Sequence, residues 1–553
     1  MKKSSTHTSP ANGAANDINE ADSEQQITEF LASRQHLRVR QGIFTVCFIL
    51  LCLIDLLLGM APGETHNLII KCTGLVIAAI ILNHDSEIED HSIPTYVPYA
   101  GWIILFLFGV RHYALQLYGP DIADVFGWLT GYGKNPLAGS LELAEWIVLV
   151  CNIGVYGIIV IRTVMEYVLN RKLPRINWPH LGIWSILLTG MLLSQNESLW
   201  PLSFLILFGC FYFTEYSKEE MTCLINGMLN GIIAAFFIFL VFSSLFRAFD
   251  TEGYCGLYTQ YTKNALFYLC AHTAFLGKWF QFHRTGAGRI WKALAMVCIG
   301  FVTGYGILTT VRHVIVLMLV NTLITVAFLS LADEKKRIQK ALTRFAAVVA
   351  LIVLLTPCAY WIARHMPDYY TSPLIYSTDN YDRKVQRYRL DLAYRFTSPE
   401  ALRKELIGQF FRFDDPDRQE WKENQIFLRK EILAAYSSEL NFSGHSNAES
   451  SFWITDWYFA QHSQNIFLHM AFCYGIPVGF LFIAFYILVG VFLLLRCLKK
   501  KSSDWWYYTG LLFLISVLSY GCFDRNWQVG QLPFTLLFLV TYLTIHRTVK
   551  KKK

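Results

Sequence analysis

Apolar residues along this chain come in long blocks rather than at an amphipathic period. About fourteen blocks have the ~17–25 residues that a helix needs to cross a hydrocarbon core: 42–60, 67–83, 97–117, 142–161, 179–195, 199–216, 222–246, 264–281, 293–310, 314–331, 345–362, 464–495, 507–523 and 531–546. The expected architecture is an all-α polytopic membrane protein with 12–14 transmembrane helices. The pattern breaks once, over 363–462, where charged, Arg-rich and aromatic residues replace the apolar blocks. Loops above ~15 residues are functional or disordered, and this composition is not that of disorder. The chain therefore divides into a polar tail over 1–41, helices one to eleven over 42–362, a loop domain over 363–462, helices twelve to fourteen over 463–546, and a basic tail over 547–553.

The loop domain carries helix signals of its own. Ser398-Pro399-Glu400 supplies an N-cap, a proline at the first helical position and an early acid. A second helix is expected over 419–438, with Trp421, Leu428, Ile432 and Ala435 on one face and Arg429 beside that stripe.

Charge sets the expected orientation. Arg34, Arg38 and Arg40 precede the first block, Arg162 to Arg175 follow the fourth, Arg284 to Lys292 the eighth, Lys335 to Lys340 the tenth, and Arg496 to Lys501 the twelfth. If the blocks alternate, these groups share one side with Lys550 to Lys553, and the positive-inside rule makes that side cytoplasmic. Both termini are then inside and the loop domain is outside. The net charge of +7 is accounted for by this anchoring and calls for no nucleic-acid partner. The thirteen cysteines fall mostly within apolar blocks and none in 363–462, so neither a disulfide framework nor a zinc site is indicated. The first 41 residues lack the form of a cleavable signal peptide. No internal repeat is visible, which argues against inverted-repeat transporter folds.

Candidate chemistry gathers at the outer ends of the blocks. Lys263 and Asn264 open the eighth, Arg312 and His313 fill the turn before the tenth, His462, Gln464 and Asn465 open the twelfth, and Arg525 lies in the last outer turn. An arginine at a membrane boundary snorkels or pairs with an anion, and guanidinium forks match phosphate oxygens. Each residue also has a plain reading. Arg312 is equally an interfacial anchor, His462 a hydrogen-bonded interface residue and Asn465 an N-cap. Arg383, Arg387 and Arg389 also read as a solvated face, Arg111 and His112 as anchoring groups, and Lys71 as a snorkelling lysine.

The order of these signals resembles the O-antigen ligase and polymerase (Wzy-type) superfamily of polytopic glycosyltransferases, over about residues 247–496. Gly256-Leu257-Tyr258 with Lys263-Asn264-Ala265-Leu266 is similar to the family's Gly-Leu-Tyr/Phe…Asn-Pro-Asn segment. Thr310-Val311-Arg312 matches its Ser/Thr-x-Arg turn, and Arg429 to Leu433 with Asn441 to His445 resembles its loop pattern. Asn465 to Leu468 with Tyr474 to Gly479 resembles its His-Asn-x-x-Leu…Gly-x-x-Gly signature. Gln464 stands where the family places histidine, and His462 lies two residues earlier.

The resemblance implies transfer of a glycan from an undecaprenyl pyrophosphate carrier to an acceptor glycan or lipid at the outer face of a bacterial cytoplasmic membrane. It implies Arg312 and Arg429 on the pyrophosphate and His462 as proton acceptor, with Lys263, Asn264, Arg387, Gln464, Asn465 and Arg525 binding substrate. No metal or cofactor motif is visible, and direct displacement would invert the anomeric centre. Ligase and polymerase share these motifs; the long aromatic loop leans toward polymerase. A lipid-linked oligosaccharide flippase or other transporter is the alternative from another class, and a non-catalytic scaffold is a third.

Overall fold

The computed structural model describes residues 35–57, 65–83, 141–170, 177–196, 200–246, 253–258, 261–331, 337–366, 428–446, 463–498, 505–523 and 531–545, with parts of 101–110, Glu400, Glu449, 452–455 and 458–460. Within these the chain is α-helical apart from one short β-hairpin and the irregular segments 253–258 and 441–446. The helices are α1 (Gln35–Leu57), α2 (Thr65–Leu82), α3 (Leu141–Asn170), α4 (Trp178–Leu192), α5 (Trp200–Phe213), α6 (Lys218–Phe246), α7 (Tyr261–Arg284), α8 (Arg289–Leu308), α9 (Arg312–Leu331) and α10 (Arg337–His365). After these come α11 (428–438), strands β1 (Phe452–Thr455) and β2 (Tyr458–Ala460), α12 (Ile466–Tyr474), α13 (Ile476–Leu498), α14 (Trp505–Gly521) and α15 (Leu532–Ile545). Among the described residues, α1, α6, α8, α9, α10 and α13 are long and apolar enough to cross a membrane. The protein is an α-helical, membrane-embedded protein.

Small residues set the closest helix crossings, as they do where lipid gives no hydrophobic push between helices. Gly227 and Gly231, four apart on α6, face Phe44 and Phe48 of α1, where a methyl group would overlap the partner. Gly300 and Gly304 of α8 approach Leu351 and Thr356 of α10 less closely, where an added methyl would lie 3.0 and 3.2 Å from its nearest neighbours. The pair α1/α6 is also locked at its starting end: Arg40 Nη1 lies 2.6 Å from Glu220 Oε1, both side chains buried. Glu220 closes a capping box with Ser217, accepting from the Ser217 backbone N–H at 2.8 Å while its own N–H donates to Ser217 Oγ at 3.2 Å.

Helix α7 is the hub, with α6, α8, α9 and α14 packed around it. It is buried over nearly its whole length, so its polar side chains meet protein rather than lipid. His272 Nε2 lies 3.2 Å from Thr322 Oγ1, Thr273 Oγ1 lies 2.8 Å from Ser516 Oγ, and Asn321 Nδ2 donates to Ser516 Oγ at 2.8 Å.

The expected single span over 464–495 is instead a helical hairpin. Gly475 has φ 94 and ψ 155, a region that side-chain-bearing residues essentially do not adopt, and Pro477 opens the next helix without an N–H to lose. The chain reverses there. Phe467 of α12 packs against Phe482 of α13 with ring centroids 6.0 Å apart, and Gly479 abuts Ala471. These pairs lie on opposite sides of Gly475, so α12 runs antiparallel to the start of α13.

Candidate functional site

At the end of the bundle where α7, α9 and α15 start and α8 and α14 finish, the last residues of α14 form a floor. Tyr520 Oη donates to the Thr262 carbonyl at 2.9 Å, tying α14 to the start of α7. The His313 ring lies 5.0 Å from Tyr520 and stacks on Phe523 at 4.7 Å with an 18° interplanar angle. Arg429 Nη2 donates to the Phe523 carbonyl at 2.7 Å, and its guanidinium sits 5.3 Å from the same ring. Asn465 Nδ2 reaches the Cys522 carbonyl at 3.3 Å. Residues from four separate stretches of sequence thus meet on three floor positions, Tyr520, Cys522 and Phe523.

The sequence explains how each is held. Asn465 is the N-cap of α12: its Oδ1 accepts from the N–H groups of Phe467 at 2.9 Å and Leu468 at 3.1 Å. Both halves of its amide are therefore committed. Arg429 is fixed by α11, whose Ile432 and Tyr436 are buried, with Tyr436 edge-on to Phe472 at 4.7 Å. Arg312 is exposed on the first turn of α9, one residue before His313. Asn264 lies beneath the floor, buried, with Nδ2 donating to the Tyr254 carbonyl at 2.9 Å, while Lys263 stands half-buried beside it. The segment 253–258 is in turn bonded to the end of α8 through the Tyr254 N–H and the Leu308 carbonyl at 3.0 Å.

Backbone strain marks the same place. Among the described residues, the non-glycine positions with positive φ are Thr310 (φ 60) and Gln464 (φ 51). Thr310 follows the last turn of α8, where a left-handed glycine is usual, and it precedes Arg312 by two residues. Gln464 precedes the cap Asn465. A β-branched residue in this conformation costs about 1–2 kcal/mol, and such residues cluster at functional sites.

One further residue was not visible in the sequence. Asp55, in the last turn of α1, accepts from Tyr258 Oη at 3.1 Å and from the Leu532 N–H at 3.0 Å, and the Lys263 ammonium acts on the same carboxylate. It joins α1, the 253–258 segment and the start of α15 alongside the floor. A lone acid inside an apolar block gave no spacing signal by which to find it. His462, Arg387 and Arg525 lie outside the described residues. Among the described residues no three His, Cys, Asp or Glu side chains are grouped as metal ligands.

The N-termini of α7, α9 and α12 lie at this end and are offset by the C-termini of α8 and α14. Lys263 faces the Asp55 carboxylate, so the positive charge at the floor comes chiefly from Arg312 and Arg429. The arrangement suits an anionic ligand lying on an aromatic surface. Comparison of the chain with protein-family models, curated proteins and solved structures finds no match.

Proposed function

We propose that the protein is a membrane glycosyltransferase of the O-antigen ligase and polymerase type, acting on a glycan carried by undecaprenyl pyrophosphate. The observation that carries this reading is the aromatic floor on which Arg429 and His313 both rest, with Arg312 next to His313 and Lys263 next to Thr262 at the starts of the helices that reach it. A pyrophosphate leaving group needs such donors. In this reading the acceptor hydroxyl attacks the anomeric carbon, the glycosyl–oxygen bond breaks, and the electron pair leaves on the pyrophosphate. Arg312 and Arg429 neutralise that charge as it builds, a contribution of several kcal/mol. The hydroxyl proton passes to a base, for which His462 is the sequence candidate, since Gln464 at the family's histidine position cannot accept one. Direct displacement inverts the anomeric centre. The finer topology belongs to the same proposal: about fourteen spans, both termini cytoplasmic, and the loop domain 363–462 outside, so that the floor opens to the outer face of a bacterial cytoplasmic membrane.

Substitution tests the reading. Arg312→Lys keeps the charge but not the fork, and glycan transfer in cells is expected to fall at least tenfold with expression unchanged. Wild-type transfer removes Arg312 from the mechanism. His462→Ala compared with Gln464→Ala identifies the base, and if neither lowers transfer, neither is the base.

A flippase is the second reading, favoured by the polar residues inside the bundle, His272, Asn321 and Ser516, because intramembrane polar groups line substrate paths in transporters. The lipid-linked pool of a deletion strain separates the readings. Single repeat units on the carrier indicate a polymerase, long chains on the carrier a ligase, and material held on the cytoplasmic face a flippase.

A further inference from the structure

The hairpin apex at Gly475 carries a strap. Residues 441–445 cross it, bonded on both sides: the Ile476 N–H donates to the Asn441 carbonyl at 3.0 Å, the His445 N–H to the Phe472 carbonyl at 3.1 Å, and the Gln195 N–H to the Ser443 carbonyl at 3.0 Å. Asn196 Nδ2 adds a bond to the His445 carbonyl at 3.1 Å, and the His445 ring stacks on Phe472 at 4.1 Å. Gly444 and Gly475 allow the close approach, since a methyl on either would strike the other segment's backbone. Yet the strap's one large apolar residue, Phe442, is 80% exposed. A loop this well fixed in place holds that ring outward.

The neighbouring surface says what the ring meets. Ile476, Phe480, Ile483, Ile487, Val491 and Leu494 of α13 are all exposed and recur every three or four residues, forming one stripe down a helix long enough to cross the membrane. Phe480 alone is 74% exposed. Phe442, whose carbonyl touches Gly475 at the top of α13, extends that lipid-facing stripe past the helix end. We infer that Phe442 inserts among the acyl chains of the membrane leaflet at this end of the bundle, pinning the hairpin apex at the top of the hydrocarbon layer.

The length of the helices agrees. The 23 residues of α13 span about 34 Å, enough for a hydrocarbon core of about 30 Å. The 17 residues of α14 reach only about 25 Å. Ile466 fits against Gly521 at the top of α14, and α12 descends from the apex to that level. The floor with Asn465 and Phe523 therefore lies about 12 Å below the apex, recessed within the leaflet.

The test is photo-crosslinking of the full chain in phosphatidylcholine nanodiscs, with Phe442 replaced by p-benzoylphenylalanine. Phe480 replaced in the same way is the lipid-facing control, and Glu439, exposed at the end of α11, is the control away from the stripe. The expected result is a phospholipid adduct at 442 within about threefold of that at 480, and at least tenfold above that at 439. An adduct at 480 with none at 442, or crosslinking of 442 to another segment of the chain, overturns the inference. Both replaced rings are already exposed, and size-exclusion elution confirms that the variants remain folded.

Discussion

The hairpin apex and the floor both depend on left-handed backbone, and they fill it with different residues. At the apex the positions are Gly444 (φ 81) and Gly475 (φ 94); at the floor they are Thr310 (φ 60) and Gln464 (φ 51). Glycine at the apex serves packing, because the strap and the hairpin approach so closely that a Cβ at Gly444 would come within 2.8 Å of the Cys473 carbonyl carbon. At the floor the conformation would be cheaper with glycine, yet side chains are kept at a cost of about 1–2 kcal/mol each. The apex is built to hold shape. The floor keeps side chains in this conformation beside Arg312 and Asn465.

The largest effect should come from breaking the apex. In Gly475→Ala the added methyl would overlap the Phe442 carbonyl, with the Phe442 carbonyl carbon at 2.9 Å, in a conformation that disfavours any Cβ. Backbone strain and overpacking together predict a loss of about 2–4 kcal/mol, read as a fall in the apparent Tm of the detergent-solubilised protein. An unchanged Tm would mean that the strap is not held as described, and the contrast between apex and floor would lose one side.

Much of the helical fold was legible because lipid demands long apolar runs. The blocks 222–246, 293–310 and 314–331 correspond to α6 (Lys218–Phe246), α8 (Arg289–Leu308) and α9 (Arg312–Leu331) within a few residues. The α12–α13 hairpin was not legible, since both of its helices are apolar and hydropathy does not register a change of direction. Its signs were Gly475 and Pro477, two residues inside an unbroken run. Arg312 and Asn465 were legible as polar groups at block ends and Arg429 as a residue beside the apolar stripe of a loop helix. The meeting of Arg429, His313 and Asn465 on Cys522 and Phe523 was not, because 94 residues separate Arg429 from its backbone partner. Asp55 and the Arg40–Glu220 pair escaped for the same reason: partners up to 477 residues away leave no local pattern.

A smaller change at Asn465 separates its two duties on the floor. Asn465→Ala removes the cap of α12 and should cost about 1 kcal/mol. Asn465→Asp keeps the cap acceptors, and its charge suits a helix N-terminus, so stability should match the wild type. It loses the amide that donates to the Cys522 carbonyl and sets a negative charge on the anion-suited floor. Glycan transfer in cells should therefore fall several-fold in Asn465→Asp while Tm holds. If transfer instead follows Tm through both variants, Asn465 is a cap alone.

The smallest effect on stability, and the one that bears most directly on the contrast, is expected from Thr310→Gly. Glycine suits φ 60 without strain, while loss of the buried Thr310 side chain offsets that relief, so stability should stay within about 1 kcal/mol of the wild type. Function should change more. The turn that presents Arg312 and stacks His313 on Phe523 would lose its restraint, and glycan transfer should fall a few-fold through misplacement of groups that depend on orientation. The measurement pairs apparent Tm with transfer in one variant. An unchanged Tm with transfer intact would show that the strained threonine does nothing for the floor, leaving Gln464 as the remaining ground for separating it from the apex.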